Sequence, residues 1–121
     1  MNNKLLSPSV LAFVGDAVYS LLVRTYLADR QKTSETLHNK AVEYVSAGAQ
    51  AKAFAKIKEH LTGEELDIFT RGRNFHTNNI PKSSSIAEYH TATGLETLFG
   101  YLHLEGKKER IDELFNIIIN Q

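Results

Sequence analysis

The strongest constraint on the fold is an apolar pattern that begins after Pro8 and repeats with helical spacing. Residues three and four positions apart lie on one face of an α-helix, so this pattern predicts a helix. Ser7 is a suitable N-cap, and Pro8 suits the first helical position, where its missing N–H is not needed. Leu11 and Val23 fall outside the pattern, so the helix is apolar most of the way round and is expected to be central. The members of the pattern are Val10, Phe13, Val14, Ala17, Val18, Leu21 and Leu22.

A second helix is predicted to begin at Thr33 or Ser34, either of which can serve as an N-cap. Glu35 would lie in its first turn, where a negative charge favours the helix N-terminus. The helical pattern continues to about Leu61, and Gly48 marks the place where we expect a break.

Further helical segments follow. Thr62 and Glu65 have the spacing of a capping box and predict the start of a short helix. The periodicity fails over residues 71–85, which are rich in Gly, Asn, Ser and Pro and predict a loop. A helix resumes near Ser85 and ends at Gly106, and a last helix follows. No segment shows the two-residue alternation of a half-buried strand. The sequence therefore predicts an all-α fold, with residues 1–121 forming one domain of five to seven helices.

Composition narrows the classes of function. The chain has 14 basic and 14 acidic residues, and this balance argues against coating nucleic acid by bulk charge. It has no cysteine, which excludes disulfides and thiolate metal sites and fits a cytoplasmic location. The apolar stretch near the N-terminus soon meets Asp16, so we expect neither a signal peptide nor a membrane span.

Two carboxylates sit inside apolar helical segments beside glycines. Asp16 follows Gly15 in the first helix, and Glu96 lies between Gly94 and Gly100 in a later one. Two such side chains on central helices are candidates to meet and hold a hard divalent cation, which supports phosphodiester hydrolysis by an activated water. The alternative is that both are solvated edge residues and that the glycines only allow another helix to approach.

A basic segment is the clearest asymmetry of charge in this neutral chain. Residues 71–85 contain Arg71, Arg73 and Lys82 and no acidic residue. Arginine suits phosphate oxygens, and Asn74 adds a neutral hydrogen-bonding group, so the segment is a candidate phosphate-binding surface. The alternative is an ordinary polar loop whose arginines pair with nearby acidic residues.

These segments resemble a known family. Phe13-Val-Gly-Asp-Ala-Val18 is similar to the signature helix of the ribonuclease III family, and Ala92–Leu102 is similar to the family's later helix with its second carboxylate. Arg71–Asn74, the step from Pro81 to Lys82, and Gly100–Leu102 resemble the Mini-III subgroup, which consists of the nuclease domain alone.

The resemblance implies an endoribonuclease that cleaves double-stranded RNA with Mg²⁺, for which Mn²⁺ can substitute. It implies Asp16 and Glu96 as the catalytic and metal-binding pair, and a basic loop that faces the RNA. For the subgroup it implies maturation of the precursor of 23S ribosomal RNA. The alternatives are a non-catalytic RNA-binding or scaffold domain on the same fold, and a helical protein-interaction module.

The resemblance also implies a homodimer, which would double the few phosphate contacts of one domain and place two sites on opposite strands of a duplex. The first helix, with Gly15 allowing close approach, is the expected part of that interface. No double-stranded-RNA-binding domain is expected within this chain.

This chain departs from the wider ribonuclease III pattern at two acidic positions. Ala12 and Thr93 stand where that family has a glutamate and an aspartate. A further glutamate of the family would fall near Ser34 or Glu35, and both positions are candidates. The expected site is therefore poor in carboxylates, with one ion on Asp16, Glu96 and waters as its minimum.

Overall fold

The computed structural model describes residues 2–28, 33–75 and 85–120. These ranges form six α-helices and no strand, which confirms the predicted all-α class. The helices are α1 (Pro8–Ala28), α2 (Ser34–Val45), α3 (Ala47–Ile57), α4 (Gly63–Arg73), α5 (Ile86–Leu104) and α6 (Lys108–Ile119). Short 3₁₀ turns occupy Asn3–Leu5 and Lys58–His60. Lys82 lies outside the described residues.

Hydroxyl side chains fix where four of the helices begin. Each cap residue has an extended backbone, and its hydroxyl accepts the backbone N–H three residues later. At two of them a glutamate side chain also accepts the N–H of the cap residue, completing a capping box. The capping box predicted at Thr62 is confirmed. The four caps are Thr33, Ser46, Thr62 and Ser85.

The long second helix expected from the sequence is divided into α2 and α3. The break lies at Ser46, two residues before the predicted position at Gly48. The backbone of Ser46 is extended (φ −62°, ψ 157°), and its hydroxyl accepts the N–H of Ala49 at 3.2 Å. Gly48 is helical because the chain turns at the serine, whose hydroxyl satisfies a donor of the new helix.

The predicted start of the loop at Arg71 is wrong, because α4 continues through Arg73. Gly72 packs against α5, where an added Cβ would lie 2.2 Å from Thr97 Oγ1 and 3.0 Å from Gly94 Cα. The contact with α5 outweighs the cost of glycine in a helix, about 1 kcal/mol relative to alanine. The helix then ends at Asn74.

The long helix α5 is the central element and contacts α1, α3, α4 and α6. Its buried residues include Leu95, Leu98, Phe99 and Leu102. The ring of Tyr19 on α1 packs edge-on against Phe99, with centroids 5.4 Å apart. Side chains on several faces of α5 are buried, so it is the scaffold on which the other helices are placed.

Helix α1 has two apolar faces, and the described residues of the chain bury only one of them. The buried face repeats every four residues and consists of Leu11, Gly15, Tyr19, Val23 and Leu27. The stripe predicted from the sequence lies beside it and includes the exposed side chains of Val10, Phe13 and Leu21. By length and composition α1 would be able to cross a membrane, a criterion that core helices of globular domains also meet.

Candidate active site

The site is built where α1 crosses α5 at two glycines. An ideal Cβ at Gly15 would lie 1.6 Å from the backbone oxygen of Glu96, and one at Gly100 would lie 1.9 Å from the backbone oxygen of Leu11. No side chain fits at either position, so the two backbones are in direct contact. Gly15 is therefore covered by α5 of the same chain, which corrects the expectation that it admits a second subunit.

The crossing brings the carboxylates of Asp16 and Glu96 together. The two groups are close enough for the negative charge of Asp16 to act on Glu96. Asp16 is exposed, whereas Glu96 is half-buried between α1 and α3. Burial, together with the neighbouring negative charge of Asp16, raises the pKa of Glu96 to about 7. The pair concentrates negative charge at one point, which is the property of a cation-binding site.

Gln50 is a third member of this site, and sequence reasoning missed it. Its side-chain amide donates to Glu96 Oε2 at 3.3 Å and to the backbone oxygen of Val45 at 3.1 Å. Gln50 lies on the buried face of α3 with Ala53 and Ile57. The spacing of three and seven residues places a glutamine on an otherwise apolar helix face, and that signal was available in the sequence.

A groove of about 530 Å³ runs from Glu96 along the first half of α5. The junction of α2 and α3 forms one wall, which includes Ser46 and Gly48. The other wall belongs to α5 and includes Glu88 and Thr93. Among the described residues the groove opens to solvent, so a ligand is able to approach Glu96 from this side.

Among the described residues, no group of three or more His, Cys, Asp or Glu side chains is placed to hold a metal ion. Thr93, at a position where the wider family has an aspartate, donates its hydroxyl to the backbone oxygen of Tyr89 at 3.0 Å. Ser34 lies near Arg24 and Leu27, toward the far end of α1 from Asp16. Glu35 does not join the Asp16–Glu96 pair in such a group.

Three of the four predicted RNA-binding residues, Arg71, Arg73 and Asn74, lie at the end of α4, and their surroundings differ. Arg71 donates to the backbone oxygens of Lys4 and Leu6 at 2.7 and 3.0 Å, so its guanidinium holds the N-terminal segment. Arg73 is exposed, and its Nε donates to Asn74 Oδ1 at 3.4 Å. The packing of Gly72 against Gly94 and Thr97 places this end of α4 beside the stretch of α5 that carries Glu96.

Comparison with known proteins shows consistent similarity. Residues 9–107 match the model of the ribonuclease III domain. The chain is 41% identical to the Mini-ribonuclease 3 of Clostridium tetani over 97% of its length and 79% of the relative's. It is 45% identical to the Mini-ribonuclease 3 of a Thermoanaerobacter species, over 94% of this chain and 81% of that one. It is 42% identical to the Mini-ribonuclease 3 of Enterococcus faecalis, over 98% of this chain and 92% of that one.

The fold also has a counterpart among crystal structures. A protein of Fusobacterium nucleatum superimposes with a TM-score of 0.88 and is 33% identical. The superposition covers 95% of this chain and 94% of the other. The similarity therefore extends over nearly the whole length of both chains.

Proposed function

Because the chain belongs to the ribonuclease III family and is an endoribonuclease of that type, we propose that it hydrolyses double-stranded RNA at the Asp16–Glu96 pair. The observation that carries this proposal is the contact of Gly15 with the backbone of α5, which holds the two carboxylates side by side. The family generally depends on a divalent metal ion, and these are the residues we assign to it.

The donor set fits a hard divalent cation. Two carboxylates at close range repel each other, and the raised pKa of Glu96 records that repulsion together with burial. Mg²⁺ is commonly held by one or two carboxylates and keeps several waters, and Mn²⁺ accepts the same oxygen ligands. We propose Mg²⁺ as the natural ion, with Asp16 and Glu96 as its protein ligands.

The chemistry is divided between the ion and the two side chains. When bound, the ion supplies charge neutralisation at the phosphate and a water activated for attack. Glu96 is half-buried between helices, which restricts the position of its oxygens, and Asp16 is exposed to solvent. In such a hydrolysis the oxygen of a water would bond to phosphorus and release one proton to solvent, the bond between phosphorus and the 3′ oxygen would break, and the 3′ oxygen would take up one proton.

We assign RNA contacts to the end of α4 and the segment that follows it. Arg73 is exposed there beside Asn74, where its guanidinium suits a phosphate oxygen. Arg71 lies on the same turn, but its guanidinium donates hydrogen bonds to the backbone of the N-terminal segment. It therefore holds that segment in addition to contributing positive charge. Lys82 is retained in the proposal on the sequence alone.

A homodimer is proposed from the exposed apolar face of α1. Phe13 is 81% exposed, Leu21 66% and Val10 45%, an uncommon concentration of large apolar side chains on one helix. A second copy of the same face would bury them by an isologous contact. The two sites would then act on the two strands of one duplex. The dimer would also supply the contacts with the duplex that a single small domain lacks.

The natural substrate and location follow from the likeness to the Mini-III subgroup. We propose the precursor of 23S ribosomal RNA as the substrate and the cytoplasm as the compartment.

The test is a cleavage assay on a double-stranded stem from a 23S precursor. We expect Mg²⁺-dependent cleavage of the duplex, none in EDTA, and none of a single strand of the same sequence. Binding of the duplex without cleavage in either Mg²⁺ or Mn²⁺ would favour the alternative, a non-catalytic RNA-binding domain on this fold.

A further inference from the structure

Gln50 is a polar side chain on a helix face that is otherwise apolar. It is 3% exposed and lies in line with buried Ala53 and Ile57 on α3. An apolar residue of similar size, such as methionine, would match the rest of this face. The presence of an amide here therefore calls for a reason other than packing.

The hydrogen bonds of Gln50 fix how its amide is turned. Nε2 donates to the backbone oxygen of Val45 and to Glu96 Oε2, and both of these partners accept. The carbonyl end of the amide is unable to donate to the Val45 oxygen, so the opposite orientation would lose that bond. The donor end consequently faces Glu96.

The other end of the amide weakens the fold. Gln50 Oε1 is buried and accepts no hydrogen bond from any described residue. A buried acceptor without a donor is unfavourable compared with an apolar group of the same shape. A side chain that reduces stability at one end and holds a site carboxylate at the other is typical of a functional position.

We propose that Gln50 is a positioning residue for the divalent-ion site, holding the Glu96 carboxylate so that its remaining lone pairs face the ion together with Asp16. The inference rests on the proposed function, since it assumes that these two carboxylates bind the metal. In metal sites generally, residues that hydrogen-bond to a metal ligand orient that ligand, and here the amide of Gln50 would have this role.

The sparse donor set explains why such a residue is needed here. Glutamate has a long side chain with three rotatable bonds. The described part of the chain offers no third carboxylate that groups with Asp16 and Glu96 and would restrain it. The break at Ser46 starts α3 where Gln50 reaches Glu96, and the bond to Val45 ties the end of α2 to the same amide. Gln50 thus links the α2–α3 junction to the metal-binding face of α5.

The primary test is Gln50→Met, which keeps the volume and removes the donor. We expect Mn²⁺ affinity, measured by electron paramagnetic resonance of the free ion, to fall by about 10- to 100-fold. The Mg²⁺ concentration for half-maximal cleavage should rise by a similar factor, whereas affinity for duplex RNA in EDTA should stay unchanged. Wild-type Mn²⁺ affinity in this variant would overturn the proposal.

Thr97→Val is the matched control. Thr97 is fully buried on α5 next to Glu96, and its hydroxyl donates to the backbone oxygen of Thr93, not to the carboxylate. This variant disturbs a buried hydrogen bond at the same place along the helix. It should keep wild-type Mn²⁺ affinity, and an equal loss in both variants would reduce the effect of Gln50 to general packing and overturn the proposal.

A double-mutant cycle separates positioning from a structural role. If Gln50 acts through Glu96, adding Gln50→Met to Glu96→Gln should leave the residual Mn²⁺ affinity unchanged. Additive losses would contradict the inference. If the methionine variant fails to fold, Gln50→Asn serves instead, because its shorter amide keeps the polarity but loses reach toward Glu96.

The outcomes also separate this inference from the function on which it rests. If the wild-type protein neither binds Mn²⁺ nor cleaves duplex RNA, the proposed function fails. If the wild-type protein does both and Gln50→Met matches it, only the role of Gln50 fails.

Discussion

Gly15 on α1 and Gly100 on α5 lie so close that a Cβ on Gly15 would come within 2.8 Å of the backbone nitrogen of Gly100. This pair of glycines sets the separation of the two helices. Asp16 follows the first glycine, and Glu96 lies one helical turn before the second. The helix crossing therefore determines the geometry of the carboxylate pair before any metal is bound.

The first prediction concerns this crossing. Gly15→Ala should destabilise the fold by at least about 3 kcal/mol, because the added methyl group meets backbone atoms that are unable to move aside. Urea unfolding in EDTA measures the loss. Gly63→Ala is the control, since nothing lies within 4 Å of its Cβ position at the start of α4. It should be neutral or stabilise by up to about 1 kcal/mol, and equal effects in the two variants would contradict the close crossing.

The second prediction concerns pH. The pKa of Glu96 is raised to about 7 in the folded protein, above its ordinary value near 4.5. Folding therefore favours the protonated form, and the stability that this adds is fully present below about pH 4.5 and lost as the pH rises toward 7. In EDTA, Glu96→Gln should gain stability over the wild type across this window, by about 1 to 3 kcal/mol at pH 8.

Urea unfolding at pH 4.5, 6 and 8 checks this second prediction. Saturating Mg²⁺ at pH 8 should restore the free energy of unfolding of the wild-type protein, because the ion neutralises the charge that Glu96 carries. It should have little effect on the stability of the variant. A constant difference between the two proteins across the pH range would show that Glu96 does not titrate in this window.

The third prediction concerns the basic end of α4. Arg73→Ala should weaken binding of duplex RNA and reduce the slope of log affinity against log salt by about one, as expected for one lost phosphate contact. Arg71→Ala should also weaken binding, and it should in addition loosen the N-terminal segment held through Lys4 and Leu6. Fluorescence anisotropy over a salt series measures both.

Lys58→Ala is the control for the arginine variants, because Lys58 is exposed beyond the end of α3 opposite to Gln50. An unchanged salt slope in Arg73→Ala would remove Arg73 from the RNA surface. Sedimentation should show that the arginine variants keep the assembly state of the wild type.

The fourth prediction concerns assembly. Phe13→Glu should convert the proposed dimer to a monomer, since it places a charge in the centre of the exposed apolar face of α1. Sedimentation velocity at micromolar concentration measures this. Val42→Glu, on an exposed apolar residue of α2, should leave the dimer intact. A monomeric wild-type protein, or a dimeric Phe13→Glu variant, would place the interface elsewhere or exclude it.

The sequence predicted the elements better than their contacts. The capping box at Thr62 and the helix start near Ser85 were readable because a hydroxyl three residues before a glutamate is a local signal. The break at Ser46 was misplaced because Gly48 is the stronger breaker by propensity, whereas the structure uses the serine as a cap. Local chemistry of this kind carries no information on what the next helix touches.

In the site, too, the residues could be predicted from the sequence but their contacts could not. Asp16 and Glu96 were identifiable as carboxylates embedded beside glycines, but the partner of Gly15 was not, because a close approach to α5 and one to a second subunit give the same pattern. Likewise, the loop was predicted to begin at Arg71 because the contact of Gly72 with Thr97, which extends α4, depends on tertiary packing. Gln50 was readable as a polar residue on an otherwise apolar face of α3, but its contact with Glu96 depends on tertiary packing.

The central claim is that Asp16 and Glu96 together hold the ion that drives cleavage, and the rate of Mg²⁺-dependent cleavage by Asp16→Asn tests it most directly. Asp67→Asn, at an exposed aspartate of α4, is the matched control and should cleave a double-stranded stem like the wild type. The Asp16→Asn protein should remain folded and dimeric and cleave more than about 100-fold more slowly, since an amide replaces one of only two charged ligands. Cleavage by Asp16→Asn at the rate of the control, with the same dependence on Mg²⁺, would contradict the account.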